Sequence, residues 1–114
     1  MKTLEKITKH YHREINGDLL KMNVPEWEMD IFYKRTYPFE TEAKVIELQS
    51  QGKVVDALVE SLIQKAIDKD GKKIFDEADR IVLMKEADPN VITKVAGTIN
   101  NAALKPRIED LAKE

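Results

Sequence analysis

Within these 114 residues, the side chains with chemical potential are two histidines, two serines and a run of carboxylates around one glycine. The glycine loop invites a calcium test. With Gly71 at the sixth position of a twelve-residue EF-hand loop, Asp68 and Asp70 take positions three and five and Glu77 takes twelve. Position one is then Ala66, so the first carboxylate ligand is missing, and Lys72 and Lys73 add repulsion. A plain acidic glycine turn is the expected structure. His10 and His12 stand two apart, which on a helix points them to opposite sides and prevents chelation of one metal. Ser50 lies beside Gln51-Gly52 and Ser61 lies inside an apolar helical pattern; neither occupies a Gly-x-Ser-x-Gly elbow. The glycines are isolated, so no loop is built to cradle phosphate. Asp76 and Asp79 read as helix caps rather than an acid–base pair. Without cysteine there is no thiol nucleophile, disulfide or Cys-based metal site. The expectation is a protein that is not an enzyme, with no catalytic, cofactor or metal residue.

Charge excludes further classes. Nineteen Lys and Arg face twenty-one Asp and Glu, a net charge of −2 that gives no general attraction to phosphate backbones or anionic lipid. The small basic clusters, Lys34-Arg35 beside Phe32 and Tyr33, and Lys69, Lys72 and Lys73, are interleaved with acids, so neither forms a stripe for nucleic acid. No apolar run approaches the ~18–20 residues of a membrane span. The opening MKTLEKITKHYHRE is too charged for a signal peptide. At 35% charged and 42% hydrophobic, the chain can build one modest core under a solvated surface. A single cytoplasmic domain over 1–114 is expected, contacting neither nucleic acid nor membrane.

The elements follow from periodicity. Leu4, Ile7 and Tyr11 make an apolar stripe on a leading helix over 3–15, with Thr3 as its N-cap and Asn16-Gly17-Asp18 as its stop. From 19 to 35 the period changes to two. Leu20, Met22 and Val24 alternate with polar residues before Pro25-Glu26-Trp27-Glu28, and Met29, Ile31 and Tyr33 alternate after it, which predicts a hairpin. A helical body over 40–101 follows. Thr41 caps a helix carrying Val45, Ile46 and Leu48 that stops at Gly52. Val55, Leu58, Val59, Leu62, Ile63 and Ala66 define a central helix, with Asp56 and Glu60 opposite its apolar face. After the turn at 68–71, Asp76 caps a helix bearing Ala78, Ile81, Val82 and Met84. Asp88-Pro89 starts the last, buried through Val91, Ile92, Val95 and Ile99. Residues 102–114 either form a short helix after Pro106 or run on as a flexible tail. The fold class is therefore mainly α: about five helices with an N-terminal two-stranded β hairpin.

A hairpin this small needs a surface to lean on. Val24, Trp27, Ile31, Phe32 and Tyr33 concentrate aromatic and branched side chains there, beside Met22 and Met29. Either one face packs on the helices and Trp27 closes the edge, or the second face or strand edge pairs with another chain. These five are the candidate partner-binding residues.

The order of motifs resembles the tail assembly chaperones of long-tailed bacteriophages. It runs VPEW at 24–27, DIFYK at 30–34, Pro38-Phe39-Glu40-Thr41, a helix ending in Gln-Gly-Lys, ALVESLIQKAID at 57–68, DKDGKKIF at 68–75, Asp76-x-x-Asp79 and DPNVITKV at 88–95. The VPEW strand and the DxDG turn match best and the tail departs most; the likeness spans about 15–101. It implies a small, mainly helical, non-enzymatic protein without cofactors. Such a protein binds the tape measure protein, keeps it soluble, helps recruit tail-tube subunits and commonly self-associates. The resemblance also implies work in the host bacterial cytoplasm, departure before the virion is finished, and often a second, frameshifted form extended at the C-terminus. The competing expectations are a structural virion component, such as a head–tail connector or neck subunit, and a small regulatory protein-binding domain.

Overall fold

Residues 2–101 are described by a computed structural model of the chain. Its first helix, α1 (Thr3–Ile15), ends where Asn16 returns its N–H to the His12 carbonyl at 3.1 Å. Thr3 is already inside the helix, not its cap; Lys2 holds the cap position and contributes no side-chain hydrogen bond. No residue of α1 is buried, so its stripe, with Leu4 74% and Ile7 57% exposed, faces outward.

The hairpin forms where the period-two pattern places it. Strand β1 (Leu20–Val24) pairs antiparallel with β2 (Met29–Tyr33) across a single 3-10 turn, Pro25–Trp27. Its register sets Leu20 opposite Tyr33, Met22 opposite Ile31 and Val24 opposite Met29 on one face, and Lys21–Phe32 and Asn23–Asp30 on the other. The first face is the core face, with Val24 and Ile31 fully buried. Asn23 donates across the outer face to Asp30 at 2.9 Å. The outer edge of β2 is closed by the chain itself: Phe32 and Ile67 exchange backbone hydrogen bonds of 2.9 Å each way. An edge otherwise available to a second strand is thereby paired internally.

Helix α2 (Phe39–Ser50) begins two residues before Thr41, because the Pro38 carbonyl already accepts from the Thr41 and Glu42 N–H groups. It turns at Gly52, whose φ of +77° is a left-handed conformation that glycine adopts without a Cβ penalty. Helix α3 (Val54–Lys65) then runs through the middle of the molecule. It packs against α2, α4 (Arg80–Lys85) and α5 (Pro89–Asn100), and its residues join those of the hairpin in one core. The core unites Val24, Ile31 and Tyr33 with Val59, Leu62, Ile63, Val91, Ile92, Val95 and Ile99.

Two expected faces differ. On α3 the buried run starts at Ala57 and Val55 is 58% exposed, while Glu60, assigned to the water side, is buried. Enclosed by neighbours on several sides, a central helix has little solvent face to offer a polar residue. On α4 only Leu83 is buried; Ile81, Val82 and Met84 point outward, because six residues make too short a helix to bury a wide stripe. The start of α5 agrees with its sequence: Asp88 accepts from the Asn90 N–H at 2.9 Å and Pro89 fills the first turn. The expectation for residues 102–114 lies outside the described residues.

Candidate binding surface

The polar residues that suggested chemistry are all engaged in building the fold. Asp68 Oδ1 accepts from the backbone N–H groups of Asp70 (2.8 Å) and Lys72 (3.0 Å), wrapping the Gly71 turn around itself. The Lys72 N–H, ahead of the other contacts, holds this carboxyl below the usual carboxylate range. Asp76 and Asp79 form a reciprocal capping box, the Asp76 N–H donating to Asp79 Oδ2 at 2.8 Å. Ser50 and Ser61 donate to the carbonyls of Glu47 and Ala57. His10 lies 3.8 Å from Glu14 on exposed α1, and His12 tilts against Tyr11.

Two buried charges organise the centre. Glu60 receives Arg80 Nη2 at 2.5 Å and Gln64 Nε2 at 2.9 Å, with Lys44 Nζ 3.4 Å away. Burial pushes its carboxyl up, but the Gln64 and Arg80 hydrogen bonds and the Lys44 and Arg80 charges outweigh burial and hold it below the usual range. Lys65, 1% exposed, bonds to Glu42 and, at 2.9 Å, to Asn100 Oδ1; its ammonium lies 5.0 Å from the centre of the Tyr37 ring. Burial pushes the Tyr37 hydroxyl up to about 12. It therefore stays protonated at neutral pH, donating to the Lys65 carbonyl and accepting from the Lys34 N–H. Asn100 completes the set by donating to Ser61 Oγ at 3.0 Å. A cavity of about 200 Å³ opens beside Arg35, Tyr37, Glu42, Lys65 and Asn100. The sequence reading missed this network. Its one signal was the presence of charged and hydroxyl residues, Glu60, Ser61 and Lys65, within the most apolar helix.

The five hairpin candidates divide by depth. Val24, Ile31 and Tyr33 share the core face and are 0%, 0% and 7% exposed. Trp27, at the turn, is half-buried and meets Phe75 edge to face at 6.2 Å between ring centres. Phe32, on the outer face, is also half-buried. The turn is tied to α5 by Lys94, which grips the Glu26 carboxylate at 2.9 and 3.0 Å. The larger exposed apolar area lies elsewhere: Leu4 and Ile7 on α1, Phe39 and Ile46 on α2, and Ile81 and Val82 on α4. Among the described residues no group of three or more His, Cys, Asp or Glu is placed to hold a metal, and no helix is long and apolar enough to cross a membrane.

The architecture is thus a mainly α domain whose hairpin is fastened to a central helix, with apolar side chains presented on a charged body. Among solved structures, that of the bacteriophage HK97 tail assembly chaperone has this fold: TM-score 0.54, 16% identity, 89% of this chain and 93% of that one covered. No protein-family model and no curated protein sequence matches the chain.

Proposed function

We propose that the chain is a bacteriophage tail assembly chaperone. In this reading it binds the tape measure protein, keeps it soluble and helps recruit tail-tube subunits around it, without catalysis or a cofactor. It works in the host bacterial cytoplasm, self-associates and leaves before the virion is finished. The observation that carries the reading is a fold shared over nearly the whole of both chains, joined to the motif order from VPEW to DPNVITKV.

Surface physics supports it. A holdase for long amphipathic helices needs apolar side chains displayed on a body charged enough to stay in solution. Here Leu4, Ile7, Phe39 and Ile81 are each more than half exposed, and 35% of residues are charged. On the hairpin, Trp27 and Phe32 have surface to offer a partner, while Val24, Ile31 and Tyr33 hold that surface in shape from beneath. The test is co-expression with the tape measure protein encoded by the same phage. The chain should raise the soluble yield of the tape measure protein and co-purify with it; unchanged solubility and no co-purification would end the proposal.

A further inference from the structure

The stretch from Asp76 to Ala87 satisfies its own polar groups. Asp76 and Asp79 cap each other, and Ala78 N–H donates to Asp76 Oδ1 at 2.9 Å. Arg80 binds Glu77 through two nitrogens, at 2.6 and 3.2 Å, and the Glu86 N–H closes α4 on the Val82 carbonyl. Among the described residues, no backbone hydrogen bond joins this stretch to the β strands, α2 or α3. The polar link from it to the body is Arg80 Nη2 on buried Glu60 of α3. Its apolar anchorage is equally spare, with Leu83 as the buried residue of α4. Beneath and beside it lies an apolar groove of about 240 Å³, lined by Leu58 and Val59 of α3, Leu83 and Met84 of α4, Ala87, and Ile92 of α5.

Such a unit, internally complete and held by one charged link and one apolar anchor, is built to open without the rest of the molecule unfolding. We infer that the 76–87 segment is a latched flap over the α3–α5 groove, and that the Glu60–Arg80 pair is its latch. Closed, the flap buries Leu83 and covers part of the groove. Open, it bares Leu58, Val59 and Ile92 together with the already exposed Ile81 and Val82, enlarging the apolar surface while the core of α3, α5 and the hairpin stays closed. Lys44 and Gln64 remain on Glu60 after Arg80 leaves, so opening does not strand a buried carboxylate without partners. This device is independent of what the chain binds.

Native-state amide hydrogen exchange on the full chain tests it. In the wild type, the α4 amides should exchange through an opening insensitive to low denaturant, while α3 and α5 amides follow the global transition. Glu60→Gln should speed exchange in α4 at least tenfold, leave α5 amides unchanged, and raise fluorescence of the apolar dye ANS. Should Glu60→Gln not fold, Arg80→Met makes the same cut from the flap side. Exchange of α4 on the global isotherm, α4 rates indifferent to the substitution, or unchanged ANS fluorescence would each overturn the inference.

Discussion

Lys65 and Glu60 sit in the same helix, one turn and a residue apart, and each is buried at about 1% exposure. An ion in a protein interior is tolerated when its partners replace water, and removing one partner is far costlier than replacing the whole group by an apolar one. Lys65→Ala, which leaves Glu42 and Asn100 without their shared donor and opens a hole beneath Tyr37, should cost about 3 kcal/mol in urea unfolding. Lys65→Met keeps the volume, and because Glu42 can turn to solvent it should cost about half of that, roughly 1.5 kcal/mol. Glu60 gives a pH signature. Its carboxyl lies lower in the folded chain than its ordinary value of 4.5, so its stabilisation is complete above that value and fades as pH falls through the folded value. Thermal midpoints should drop with acidification below about pH 4.5, and the drop should be shallower in Glu60→Gln. These two residues also mark a limit of reading from sequence. Periodicity assigned Glu60 to the water side, since a pattern carries the direction of the apolar stripe but not how many neighbours surround the helix. Asp68, Asp76 and Asp88 were legible as turn and cap residues because their partners lie within four positions in the chain.

At the scale of elements, local rules explain the joints and long-range packing explains the faces. Gly52 holds φ +77° between α2 and α3, a conformation in which any Cβ is strained even though space is open around it. Gly52→Ala should therefore lower stability by about 1 kcal/mol with no change in structure elsewhere. Asp88→Ala removes the side-chain cap of α5 and should cost about 1 kcal/mol, read by denaturant midpoint at constant slope. The hairpin was visible in the alternation of Leu20, Met22 and Val24 and of Met29, Ile31 and Tyr33. Which of its faces turns inward, and that Ile67 closes its edge, were not visible, because both depend on residues more than thirty positions away. The same holds for the candidate surface: the aromatic concentration at 27–33 was plain, but the burial of Tyr33 and the edge contact of Trp27 with Phe75 come from the packed body. On α4, an apolar composition suggested a buried helix, and its length allowed only Leu83 to be one.

For the whole molecule, the distribution of apolar surface is the feature that ties fold to proposed work. The core is complete around α3, yet α1 keeps its entire stripe outside and α2 and α4 each display apolar side chains. A chain with balanced charge, −2 overall, carries this surface without a strong field to select nucleic acid or lipid, which leaves hydrophobic contact as the recognisable mode of binding. If that surface serves a tape measure protein, its effect is measurable without any other tail component. Purified tape measure protein diluted from denaturant should scatter light as it aggregates. Added in increasing molar ratio, this chain should suppress the scattering to a plateau at a fixed stoichiometry, whereas scattering that persists unchanged at molar excess would contradict the account.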